Sequence, residues 1–194
     1  KDKLASYIKR LTKKLIPKAM PDGTGKIEFK QLSAFTTENY MTHPISGEYS
    51  KYFIKDDLFA GGDYFLKSIA EIFINNGYDV TVSECTMLHN STFEHLIVEQ
   101  LGLVFITGNF FNGLVPENEN IINFSRFYDK EMYSNKKQRI NFDKKASLEL
   151  AKEASVCLKT ALDIHDELEK FYINAIDFES LNHFTAEFIE SLKK

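Results

Sequence analysis

The stretch from Lys51 to Ile74, KYFIKDDLFAGGDYFLKSIAEIFI, constrains this chain most. It reads as a short apolar strand, a glycine-bearing loop and an amphipathic helix. Leu66, Ile69, Ala70 and Phe73 share one helix face, so that face packs on a sheet. This is the layout of a phosphate-binding loop. A working loop of that kind reads G-x-x-x-x-G-K-[ST]. Its glycines let backbone N–H groups converge on an anion, its lysine reaches the phosphates, and its hydroxyl holds magnesium. With the second glycine placed at Gly61, the first falls on Asp56, the lysine on Gly62 and the hydroxyl residue on Asp63.

The residues present oppose a polyphosphate. A carboxylate ~6 Å from a phosphate charge costs about 2–3 kcal/mol at an effective dielectric near 20, and Asp56, Asp57 and Asp63 all lie in or beside the loop. Lys55 and Lys67 are the nearby cations. Lys67 follows Asp63 by four residues, the spacing of a helical ion pair. Asp63 is read as the N-cap of the helix, an internal carboxylate in the place a phosphate would take. A second stretch, Asp22-Gly23-Thr24-Gly25-Lys26, resembles such a loop only superficially. No glycine stands at position 20, Ile27 follows the lysine, and the segment reads as a turn into a strand.

The rest of the chain supports an α/β fold with a mainly parallel sheet. Strands are expected over Ile27–Leu32, Tyr52–Lys55, Tyr78–Glu84 and Leu101–Ile106, with a further short one over Ile121–Phe124. Phe93–Gln100 is ambiguous between helix and strand. The Leu103–Ile106 run is continuously apolar, as in a strand buried on both faces. In nucleotide hydrolases such a strand ends in an acid that orders magnesium. Here it ends in Thr107-Gly108-Asn109.

Residues 1–18 carry seven Lys/Arg against one acid, with Leu4, Ile8, Leu11 and Leu15 at helical spacing. That makes a basic amphipathic helix, packed on the body or, alternatively, laid on an anionic membrane. Asn135–Lys145 reads as a basic connector. From Leu148 to Tyr172 an apolar stripe recurs every three or four residues, giving a long helix with a coiled-coil-like face. Asp177 caps a last helix with Leu181, Phe188 and Leu192 expected to face inward. The division expected is a P-loop-like α/β domain over 1–142 and a helical segment over 143–194 packed on it. Residues 143–194 carry eleven acids against seven Lys.

The formal charge of −4 gives no reason to expect nucleic acid, and no apolar run is long enough to span a membrane. Cys85 and Cys157 lack metal or redox spacing and read as reduced core thiols of a cytoplasmic protein. The start at Lys1 rather than Met points to a removed leader or tag, or to a piece of a longer protein. His165 and Glu169, four apart on one helix face, are candidates for an acid/base pair or for two metal ligands. His89 and His95 near Cys85 lack a fourth ligand for zinc, so no metal site is assigned.

Taken in order, these segments resemble the C-terminal half of an uncharacterised Firmicutes group of tandem P-loop ATPase-like proteins. The resemblance spans Met20-Pro21-Asp22-Gly23, Tyr52–Lys55, Leu66–Ala70, Gly77–Val80, Glu84-Cys85, Leu101–Gly108 and His165–Glu169 with Tyr172, Ala175, Asp177 and Phe178. It implies a three-layer P-loop NTPase fold ending in a pair of long helices. This chain departs from the group's pattern at Gly62, Asp63, Thr107 and Glu84. The resulting expectation is a degenerate domain without nucleotide hydrolysis or cofactor, contacting a protein partner or a second half of its parent. Its vestigial site comprises Asp56, Asp57, Gly61, Gly62, Asp63 and Lys67 with Thr107 and Asn109. The alternative is an NTPase or small-molecule kinase using Mg-ATP, with phosphate contacts from Lys55 and Lys67 and acid/base work by His165 or Glu169.

Overall fold

A computed structural model gives the fold and describes residues 2–18, 23–88, 91–116 and 120–193. Helix α1 (Asp2–Leu15) is followed by strands β1 (Ile27–Phe29), β2 (Ser33–Phe35), β3 (Tyr40–Thr42) and β4 (Ser50–Lys55). Then come α2 (Gly62–Asn75), β5 (Val80–Glu84), β6 (Phe93–Val98), β7 (Leu103–Gly108) and β8 (Asn120–Asn123). Helices α3 (Lys130–Ala175) and α4 (Phe178–Leu192) complete the chain. The resemblance at Met20-Pro21-Asp22 lies outside the described residues.

Six strands form one sheet in the order β1-β5-β6-β7-β4-β8. The β1–β5, β4–β7 and β4–β8 pairs are parallel, whereas β6 runs against both of its neighbours. The direction of β6 follows from its short connection to β7. Only residues 99–102 separate the two, and a link that short closes an antiparallel hairpin, since a parallel crossover takes a dozen residues or more. Gly102, at φ 57°, supplies the left-handed turn.

Side chains alternate across the sheet. Tyr52, Ile54, Val80, Val82, Leu96, Val98, Leu103, Phe105 and Ile122 join one core with Phe65, Leu66, Ile69, Ala70 and Phe73 of α2. Leu4 and Ile8 of α1 enter the same cluster, so the basic helix is a packed one. The other face carries Phe53 and Val104, both buried. The β2–β3 hairpin meets that face at His95, and the loop after β7 meets it at Phe53. Ser33 Oγ lies 3.3 Å from the ring of His95 there. Gly108 is confined between the Phe53 ring and the Leu114 carbonyl, where a Cβ would overlap the ring.

The expected connector over 135–145 is helical instead. Helix α3 runs unbroken for 46 residues and crosses the boundary expected at residue 142. Its early turns lack an apolar stripe, yet Lys, Gln, Arg and Glu are good helix formers and neither Gly nor Pro interrupts them. Asp129 caps it by accepting from the Met132 amide at 3.0 Å. One stripe, from Ile140 through Lys144, Leu148 and Ala151 to Ser155, is partly or fully buried. Lys144 Nζ stands 4.8 Å from the Phe110 ring centroid. Packing on the body stops there. Leu158, Leu162, Leu168, Phe171 and Tyr172 are exposed, and so, against the expectation that they face inward, are Leu181, Phe188 and Leu192 of α4, with Phe184 beside them. Asp177 does cap α4, accepting from the Glu179 and Ser180 amides. Cys85 is buried, but Cys157 is exposed on α3 and is no core thiol. Among the described residues, no helix is long and apolar enough to cross a membrane.

Candidate functional site

The loop between β4 and α2 curls around its own side chain. Asp56 follows the last residue of β4 and is almost wholly buried. Its carboxylate accepts from the amides of Ala60 (3.1 Å), Gly61 (3.1 Å) and Gly62 (2.7 Å) at the start of α2. The Tyr128 hydroxyl donates a fourth bond at 3.1 Å. These amides are the free donors at a helix N-terminus, where the dipole favours negative charge. Burial, followed by the neighbouring Asp56 charge and hydrogen bond, pushes the Tyr128 hydroxyl well above its usual pKa, so it remains a donor. Gly62 has a local reason to be glycine, because a Cβ there would stand 3.1 Å from Asp56 Oδ2.

An internal carboxylate therefore fills the anion position, but it belongs to Asp56. Asp63 is not the N-cap. Gly61 occupies that position without a side-chain cap bond. Asp63 lies within the first turn and accepts from the Phe93 amide at 2.8 Å, tying α2 to β6. It also holds Lys67 at 3.0 Å, the helical pair anticipated from spacing. Asp57 is half-buried, and Lys55 is exposed at the strand end. Phe59 adopts φ 50°, a left-handed conformation that costs a bulky residue about 1–2 kcal/mol. Its ring is held against Phe110 and Phe111.

The ends of β6 and β7 complete the site, bringing Glu94, which the sequence did not single out, beside His95, Thr107 and Asn109. Glu94 and His95 are both buried within the FEHLIV strand. Glu94 accepts from the Tyr40 hydroxyl at 3.0 Å and from the Asn112 side chain at 3.2 Å. His95 Nδ1 accepts from the Thr107 amide at 3.2 Å, so its proton resides on Nε2, facing Ser33 Oγ and Glu94. Burial lowers the His95 pKa against the opposing pull of Glu94, which keeps the ring neutral. Burial, then the Glu94 charge, raises both the Cys85 thiol and the Tyr40 hydroxyl. Cys85 is thereby held as an unreactive thiol. The sequence signal was present, since an acid beside a histidine interrupts an otherwise apolar strand.

Thr107 and Asn109 are both buried at the end of β7. Asn109 Oδ1 accepts from the Phe111 and Asn112 amides and so shapes its own loop. Among the described residues, Thr107 Oγ1 has no hydrogen-bond partner. Asp56, Gly62, Asp63, Cys85, Glu94, Thr107 and Asn109 surround a cavity of about 180 Å³. A larger, more open groove of about 830 Å³ lies outside the loop, between the first turn of α1 and the start of α3.

The distal candidates do not join this site. His165 Nδ1 and Glu169 Oε1 are 3.7 Å apart, too far for a hydrogen bond, and both side chains are more than half exposed. With Asp166 they form an exposed group on α3 whose possible metal-ligand atoms lie within 4.8 Å of one another. His89 lies outside the described residues, and His95 is committed to the Thr107 amide. The Lys26 amide is bound to Asp79 just before β1, consistent with a turn into a strand.

Compared with known proteins, the chain matches no family model, no curated protein and no solved structure.

Proposed function

We propose that this chain is a P-loop-like α/β domain that does not hydrolyse nucleotides and serves as a protein-interaction module through α3 and α4. The observation that carries the first half is the Asp56 carboxylate on the amides of residues 60–62. In a working loop those donors hold phosphate oxygens. Here they are already paired with a charged group, and a second anion must displace it. Asp57 and Asp63 add repulsion, and Lys67 is engaged by Asp63. The strand end offers Thr107 where a magnesium-ordering acid would stand.

The interaction role is supported by the apolar side chains of residues 156–192, which are exposed along two successive helices. Large apolar side chains exposed in such number mark a contact face. The acidic excess of the C-terminal segment favours a partner with a basic surface around an apolar stripe.

Calorimetric titration with Mg-ATP and with Mg-GTP tests the closed loop. No saturable heat is expected up to millimolar nucleotide. Micromolar binding overturns the reading.

A further inference from the structure

We propose that the cavity at the ends of β4, β6 and β7 binds a small organic cation, an ammonium or guanidinium group on a short alkyl chain. The site sits beyond the carboxyl ends of β4 and β7, the place where open α/β sheets hold ligands. This inference does not depend on whether α3 and α4 contact a partner.

The first support is Thr107. It is 5% exposed and its hydroxyl has no partner among the described residues. Residues 103 and 105 point into the α2 core, so strand alternation puts the Thr107 side chain on that same face, toward the cavity wall at Gly62 and Asp63. A buried hydroxyl without a partner destabilises a fold. A valine would fill the same volume at no such cost. Threonine at this position therefore points to a ligand that uses the oxygen.

The second support is the sign of the charge. Asp56, Asp63 and Glu94 line the cavity, and the neighbouring Lys67 is bound to Asp63. Asp56 is saturated by four donors. Among the described residues, each Glu94 oxygen accepts one hydrogen bond, with the His95 Nε2 3.5 Å from Oε2, while a carboxylate oxygen accepts two. Glu94 thus has acceptor capacity left, and Thr107 Oγ1 supplies another acceptor. An anion would meet three formal negative charges, whereas a cation would be drawn in.

The third support concerns the apolar wall. Phe93 already takes the Lys67 ammonium at 5.3 Å from its ring centroid, the geometry of a cation–π contact. Phe59 and Leu88 extend this wall. A cavity of about 180 Å³ is roughly six times the volume a water molecule takes in the liquid, which suits a ligand of a few heavy atoms.

The test is amide-detected NMR titration of the whole chain with n-propylammonium and methylguanidinium, at constant ionic strength. Propionate and 1-propanol serve as anionic and neutral controls. The expected result is saturable shifts at Glu94, Thr107 and Asn109 with a Kd of about 1 mM for either cation, a reasonable affinity for so few atoms. The controls should leave those amides in place. Glu94→Gln should weaken binding about tenfold. Thr107→Val should weaken it several-fold while raising the melting temperature by about 2–4 °C, because the orphaned hydroxyl is gone. That rise also shows that the variant folds. The proposal is overturned if neither cation saturates by about 50 mM, if propionate or 1-propanol moves the same amides equally, or if Thr107→Val binds undiminished.

Discussion

Replacing Asp56 by alanine removes the group that fills the turn before α2. The Gly62 amide is the most enclosed of its three backbone donors, and a buried donor left alone costs about 1–3 kcal/mol. The Ala60 and Gly61 amides are only partly buried and can turn to water, so each loses nearer 0.5–1 kcal/mol. Loss of a negative charge at the helix start adds about 0.3–1 kcal/mol. The expected destabilisation is about 4 kcal/mol, equivalent to a melting temperature lower by roughly 8–16 °C for a chain of this size. The vacated amides should then accept a foreign anion. Inorganic phosphate at a hundred times its Kd should restore about 2.7 kcal/mol to the variant. Wild-type protein, whose cradle is full, should gain only the general salt effect. Urea unfolding in chloride and in phosphate at matched ionic strength measures both. A loss under about 1 kcal/mol, or equal phosphate gains in the two proteins, would refute the assignment of Asp56 to the anion position.

The folded His95 pKa lies below its unfolded value, so below about pH 6.5 the unfolded chain binds a proton that the folded ring refuses. Stability should fall with pH there by up to about 1.4 kcal/mol per unit. Urea unfolding between about pH 7.5 and 5.5 should show a shallower slope in His95→Gln; identical slopes would exclude His95 as the source. Gly108→Ala places a Cβ on the Phe53 ring and 2.8 Å from the Leu114 carbonyl, and should cost about 3 kcal/mol or more by chemical denaturation. Phe171→Asp and Phe184→Asp alter side chains that are 77% and 65% exposed. Each should change folding stability by less than about 0.5 kcal/mol yet weaken capture of any protein partner; unchanged capture would move the contact surface off these helices.

Local pattern made much of the architecture legible. The apolar Tyr52–Lys55 run, the stripe of α2 and the Leu103–Ile106 run each carry their own periodicity, and each forms the expected element. Asp177 could be read as a cap because its partners are the next two or three residues. The failures share a different cause. Asp63 looked like a cap by position, but the amide it meets belongs to Phe93, thirty residues away. Asp56 looked like a lost glycine and a repelling charge, not a cap, since its role depends on the chain returning over it within six residues and on Tyr128 arriving from the far side. Glu94 and His95 were obscured by an ambiguous segment whose direction is set by the short link to β7. The start of α3 was hidden because a solvated helix needs no apolar stripe. Lys, Gln and Arg can carry it through propensity and pairs such as Arg139–Asp143.

The length of α3 has a geometric consequence. At 1.5 Å per residue, 46 residues extend about 69 Å, several times the radius of gyration of about 14 Å expected for the α/β portion alone. The helix therefore acts as a lever whose far end is angularly indexed to the sheet. Each residue inserted after Ser155 would swing α4 by about 100° and advance it by about 1.5 Å. A contact that engages α4 and the body together would repeat in strength with the helical turn, whereas one confined to α4 would be indifferent to phase.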